Sequence, residues 1–143
     1  MTSIEEHKKK IIEHLEELSA ALEIGKEKRS STIAFHCSAC SMQFMELYLH
    51  ATHKITMGAT LKHEWFKRPK PEQKKESLIE RHISLDIPQK EEIYECIYQI
   101  EEERNSLMYG KPTEKQVIKV IVAFNTLRKI MENLLQNVSV KIT

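Results

Sequence analysis

Four stretches of this chain carry side chains that can do chemistry. The first is His36-Cys37-Ser38-Ala39-Cys40. A Cys-x-x-Cys pair on a helix puts both thiols on one face, but zinc needs four converging ligands. No second Cys-x-x-Cys exists, and Cys96 stands alone. Cys37 and Cys40 also continue an apolar stripe, where a free thiol behaves as a small hydrophobe. They are read as buried core residues, with no metal. The second stretch holds Glu46, His50 and His53, spaced to share one helical face. Such a face can ligate a divalent ion, but a solvated or contact face is the reading preferred.

The third stretch runs from Trp65 and Phe66 into the basic segment Lys67-Arg68-Pro69-Lys70-Pro71-Glu72-Gln73-Lys74-Lys75. Basic side chains beside aromatics hold phosphates and stack on single-stranded bases. A solvated loop pinned to the core by Trp65 and Phe66 has the same composition, and is the more ordinary reading. Trp65, Lys67 and Arg68 are the binding candidates here. The fourth stretch is Glu102-Glu103-Arg104-Asn105-Ser106-Leu107-Met108-Tyr109-Gly110-Lys111-Pro112. Arg104 falls on the stripe set by Ile93, Ile97 and Ile100, where an apolar residue is expected. A guanidinium on an inner face needs a partner, because a buried unpaired charge is costly. The helix-end dipole, a carboxylate on a neighbouring helix and a phosphate are all open as that partner.

Helices must position these groups. A first helix is expected over about residues 4 to 24. Ser3 and Glu6 make a capping box, Ile4, Ile11, Leu15, Leu18 and Leu22 form the stripe, and Gly25 is the stop. A second is expected from about Thr32 to Ile55, inward at Ile33, Cys37, Cys40, Phe44, Leu47 and Ala51, with Gly58 closing it or the turn after it. Pro69 and Pro71 break the middle. A short helix follows over about Glu72 to His82, and Asp86 with Pro88 starts another, Pro suiting a first turn. That helix runs to about Met108, and Gly110 and Pro112 close it. Thr113 with Gln116 makes a second capping box. The last helix is inward at Val117, Val120, Ile121, Phe124, Leu127, Met131, Leu134 and Val138. Strand-like alternation survives only in the tail Val138-Ser-Val-Lys-Ile-Thr143. The fold class expected is all-α: an up-and-down bundle of four to five helices, mostly antiparallel.

The 143 residues suit one domain, 1–143, and too few remain for a second core. Three Gly and four Pro argue against an all-β fold. The net charge of +1 excludes a globally basic nucleic-acid binder, so any basic surface is local. An odd set of three cysteines, a charged N-terminus without a leader pattern and no membrane-length apolar run lead to the expectation of a cytoplasmic protein with reduced thiols and no membrane partner. No phosphate-cradling Gly-rich loop, nucleophile elbow or zinc-protease motif occurs, and no cofactor is expected.

Arg104-Asn105-Ser106-Leu107-Met108-Tyr109 resembles the Arg-Asn-x-Leu-x-His motif that ends the penultimate long helix of the HEPN superfamily (higher eukaryotes and prokaryotes nucleotide-binding domain). Phe35-His36, Gly58 and Lys62-His63 resemble its weaker upstream signature, and the helix order fits over about residues 30 to 138. The resemblance implies an RNA- or nucleotide-binding module of toxin–antitoxin type, a homodimer, with a small nucleotidyltransferase as protein partner. It implies Arg104 as the phosphate contact, Asn105 as an orienting or donating group, and Tyr109 in the place of the catalytic His, with Lys111 nearby. Family members that are metal-independent ribonucleases use that His for proton transfer. An ordinary tyrosine is ionised to only about one part in a thousand at neutral pH, so weak or absent catalysis is expected. A ribonuclease in which His36, His63 or His82 takes the role is the alternative, and a structural interaction protein without nucleic acid is the other. In some related modules a tyrosine two places after the His is modified by the partner. That place holds Lys111 here.

Overall fold

The computed structural model of the chain describes residues 4–56, 58–73 and 76–142. Five α-helices account for most of them: α1 (Ile4–Ile24), α2 (Ser30–Ala51), α3 (Leu78–His82), α4 (Lys90–Tyr109) and α5 (Glu114–Asn137). Two short 3-10 turns, His63–Trp65 and Pro71–Gln73, interrupt the connection between α2 and α3. No strand occurs among the described residues. The molecule is an all-α bundle, and none of these helices is long and apolar enough to cross a membrane.

Helix α2 is the centre. It packs against α1, α4 and α5, and α4 pairs with α5. Its small residues Ala34, Cys37, Ser38, Cys40 and Ser41 are all buried, as are Phe44, Met45, Leu47 and Leu49. A helix walled in on every side needs this composition. Ser41 satisfies its hydroxyl within the helix, donating to Cys37 O at 2.6 Å. Burial pushes the Cys37 thiol up and the Cys40 thiol to about 12, so both are inert core groups.

The helix ends show where local chemistry governs. Residue 3 lies outside the described residues, so the Ser3–Glu6 cap does too. Gly25, at φ +132°, stops α1 as expected. Helix α2 ends earlier than the sequence suggests. His53 takes a left-handed conformation (φ 58°), its N–H bonds His50 O, and Lys54 N–H bonds Leu49 O at 2.8 Å. That pair of bonds is a Schellman motif, and Gly58 belongs to the following loop. The same device ends α5. Ser139 is left-handed, and Val140 N–H reaches back to Leu135 O at 2.9 Å. Val140 and Ile142 therefore fold onto the core instead of extending into a strand. Pro88 precedes α4 and does not enter its first turn, while left-handed Gln89 sets the start. The Thr113–Gln116 capping box forms in full, with bonds of 3.2 and 2.9 Å.

On α1 the buried face is His7, Ile11, Leu18 and Ala21, whereas Ile4 and Leu22 of the expected stripe are exposed. The reason is that α1 packs chiefly on α2, so only a narrow strip is covered. Two histidine pairs bridge this seam. His7 stacks on His50 at 5.0 Å between ring centroids, and His14 Nδ1 lies 2.8 Å from His36 Nδ1. The pairing of 7 with 50 and 14 with 36 fixes α1 and α2 as antiparallel.

Burial, then the neighbouring imidazole, holds His14 and His50 below the ordinary histidine range. Glu13 opposes the shift at His14 and Lys10 adds to it, while Glu46 opposes it at His50. A depressed folded-state value means that the unfolded chain takes up protons first as pH falls below about 6.5. Stability is therefore expected to fall from about pH 6.5 downward and to be regained above it. Burial raises Glu46, which works in the opposite direction at the acid end. Thermal melts across this range for wild type and His14→Gln check the point. The variant should show a shallower loss, and α1 amides should be the first to lose exchange protection in acid.

Candidate functional site

Arg104 lies where the periodicity places it. Ile93, Ile97 and Ile100 precede it on α4 and are wholly buried, and Leu107 follows at 2 % exposure. Its Nε is buried and has no hydrogen-bond partner. Among the described residues it makes no ion pair, so the neighbouring-helix carboxylate considered from sequence is absent. Its side chain opens into a cleft of about 470 Å³ between the C-terminal half of α4 and the loop after α2. Asn105, His63, Lys67 and Arg68 line the same cleft, as do Glu101 and Glu102.

Two anchors hold that loop against the bundle. Glu46 Oε1, from the buried surface of α2, accepts the Leu61 N–H at 2.9 Å. Phe66 is fully buried and meets the Tyr94 ring edge-on at 5.8 Å. Between these anchors sits His63. Its Nδ1 lies 2.7 Å from Glu101 Oε1, and Ser38 donates to the other oxygen of Glu101 at 2.6 Å. Glu101 and Arg104 are three apart on α4 and so share a face. The sequence reading missed Glu101 and Ser38. The Glu101–Arg104 spacing gave a signal for Glu101, but nothing local links it to His63, 38 positions away, or to Ser38, 63 positions away.

The acidic groups in the cleft, Glu64 among them, have partners of their own: Glu64 Oε1 lies 3.3 Å from His63 Nε2. Glu101 faces His63. Glu102 is bound by Arg68 and Lys119. Arg68 also forks onto Glu95, with bonds of 2.8 and 2.5 Å, and lies over the Tyr98 ring. Arg68 is thus an internal clasp between loop and α4, and its donors are already committed. Arg104 and Lys67 are left as the cleft's cations without an ion pair among the described residues.

Hydrogen bonds from Arg68 hold the Glu95 and Glu102 carboxylates below their usual range. Their contribution to stability is present above about pH 4.5 and is lost as pH falls through the lowered values. Arg68→Ala is expected to flatten this acid limb of the stability curve. Melting points from neutral pH to about pH 3 test it.

The remaining candidates lie elsewhere. Tyr109 is 76 % exposed at the end of α4, and neither it nor the exposed Lys111 lines the cleft. Trp65 stacks on His82 at 4.2 Å, so one ring face is covered and both are outside the cleft. His36 is engaged with His14 on the α1 seam. Of the three histidines considered as replacements, His63 alone lines the cleft. Lys74 and Lys75 lie outside the described residues. Glu46 and His50 turn inward beside His7, while His53 is exposed past the helix end, so the three do not converge. Among the described residues no group of three such ligands is placed to hold a metal ion.

Fold and cleft together define a helical-bundle protein with a cleft at the end of α4 that Arg104 helps to line. The chain matches no protein-family model, no curated protein and no solved structure.

Proposed function

We propose that this chain is a HEPN-like module of toxin–antitoxin type that binds RNA or a nucleotide through its phosphate at the α4 cleft. One observation carries the reading. Arg104 is on the inner stripe of α4, has a buried Nε with no acceptor, makes no described ion pair and opens into a cleft. A guanidinium so placed is stabilised by an anion, and its planar fork of donors matches phosphate. Lys67 adds a second positive charge, and Asn105 a neutral donor on the cleft rim. Tyr109 points to solvent and adds little or no catalysis of its own.

The absence of a carboxylate partner counts against the purely structural reading. The homodimer remains part of the proposal. Ile118 and Val122, one turn apart on α5, are 43 % and 58 % exposed and give a second copy an apolar strip to cover. A small nucleotidyltransferase is the other protein partner implied by the resemblance.

Titration of wild type and Arg104→Ala with short RNA at two salt concentrations tests the reading. Loss of one phosphate contact should weaken binding at both and reduce the salt slope by about one. Equal affinities and equal slopes would remove Arg104 from the interface.

A further inference from the structure

We infer that α1 is an acid-released cover: charging of the two histidine pairs on its seam, His7 with His50 and His14 with His36, detaches it from α2 while α2, α4 and α5 stay packed. The inference is independent of the α4 cleft. It goes beyond the acid sensitivity of the whole chain by confining the opening to one helix.

Four of the chain's seven histidines meet on this seam. His14 Nδ1 lies 2.8 Å from His36 Nδ1. Such a bond needs one nitrogen to donate and the other to accept, and an imidazolium has no acceptor. The contact therefore exists only while at least one ring is neutral. The second pair is deeper. His7 and His50 are 1 % and 6 % exposed, and their rings stack at 5.0 Å. His7 Nδ1 is 2.8 Å from Gln43 Oε1, but His7 Nε2 and both nitrogens of His50 have no hydrogen-bond partner. Charging these rings buries donors with nothing to receive them, a cost that water removes once the seam opens.

The surrounding charges do not compensate. At His14, burial and His36 disfavour the charged ring, Glu13 opposes them and Lys10 adds to them. At the deeper pair, Glu46 Oε2 lies 4.0 Å from His7 Nδ1. One carboxylate offsets one charge and not two. Burial also pushes Glu46 toward its neutral form, against the pull of Leu61 N–H, His50 and Lys10. The Ala59 backbone, in the loop after α2, favours a charged His50 as Glu46 does, yet burial and His7 outweigh both.

The apolar hold on α1 is narrow. Its buried apolar residues are Ile11, Leu18 and Ala21, whereas α2, α4 and α5 all pack against one another without it. The turn from Gly25 to Lys28 follows α1, and the Lys26–Glu114 ion pair keeps that end beside α5. The free end is therefore the His7 end. Its release uncovers Ile33 and Cys37 of α2, which share a groove with Leu15 and Leu18.

The test follows the full chain from about pH 7 to about pH 5 by hydrogen exchange, each amide referred to its unstructured rate at the same pH. Labelling of Cys37, referred to the urea-unfolded chain at the same pH, runs beside it. A histidine neutral in the closed seam and charged in the open one changes the opening equilibrium by up to about tenfold per pH unit. Wild-type α1 should therefore lose protection by about tenfold or more between about pH 6.5 and about pH 5.5. Cys37 should become reactive in step, and α4 and α5 should keep their protection. His14→Gln combined with His50→Phe should flatten the α1 response. If that double change disturbs packing, the imidazole resonances of wild type decide: proton uptake at His14 and His50 must coincide with the opening of α1. Loss of protection in α4 and α5 together with α1 would overturn the inference. So would an α1 that stays protected while both rings take up protons, or an identical response from wild type and the folded double variant.

Discussion

Phe66→Ala should cost about 3–5 kcal/mol, the usual loss for a fully buried aromatic. It should also weaken RNA binding in the molecules that remain folded. Phe66 has no exposed surface, and it anchors the loop on which His63 and Lys67 sit. Removing its ring leaves a cavity against Tyr94 and releases the loop wall of the cleft. Glu46 still grips Leu61 N–H, so the loop should be loosened at one end and not lost altogether. Urea unfolding gives the stability term, and an RNA titration well below the transition gives the binding term. A loss under about 1 kcal/mol with unchanged affinity would show that the loop is held by something other than Phe66.

The second large effect is Arg104→Ala, and its signature is a split. Affinity for RNA should fall steeply while stability changes by no more than about 1 kcal/mol. An arginine locked in a buried ion pair behaves differently, because its removal strands the partner charge at about 3–5 kcal/mol. Arg104 has no such partner to strand, and its Nε already lacks an acceptor. What is lost on truncation is the partial burial of its methylene stem. Arg104→Lys keeps a charge but not the planar fork, so it should bind with intermediate affinity. Melting curves run beside the titrations separate the two outcomes.

These expectations rest on features of unequal legibility. The bundle was readable because the apolar periodicity of α2, α4 and α5 is strong, and Arg104 was conspicuous because it breaks that periodicity. The Thr113–Gln116 cap was readable because both partners are three residues apart. What the linear pattern hid was tertiary. The ends of α2 and α5 depend on left-handed His53 and Ser139, and neither residue type announces a Schellman turn as glycine does. The stripe of α1 was rotated because α2 is its chief neighbour. His7 was therefore buried, and Leu22 was left outside.

The cleft was half legible. Arg104, Asn105 and Lys67 were singled out by type and position, and the structure brings them together. Arg68 looked equally suited to phosphate, but Glu95 and Glu102 lie within its reach only after the loop folds back on α4. Trp65 looked available for stacking until His82 covered one face. Tyr109, which the resemblance put in the catalytic place, is exposed and does not line the cleft. His63, one of three interchangeable histidines in sequence, becomes distinct through Glu101 and Ser38.

The most direct measurement follows the Arg104 Nε–H itself. In a protein labelled with nitrogen-15, its side-chain resonance is assigned by comparison with Arg104→Lys and followed as short RNA is added. A phosphate bound at the guanidinium should shift that resonance in a saturable way, slow its exchange with water and leave the Arg68 resonance, already committed to Glu95 and Glu102, nearly unmoved. An Arg104 resonance that stays in place while RNA binds elsewhere on the molecule would contradict the account.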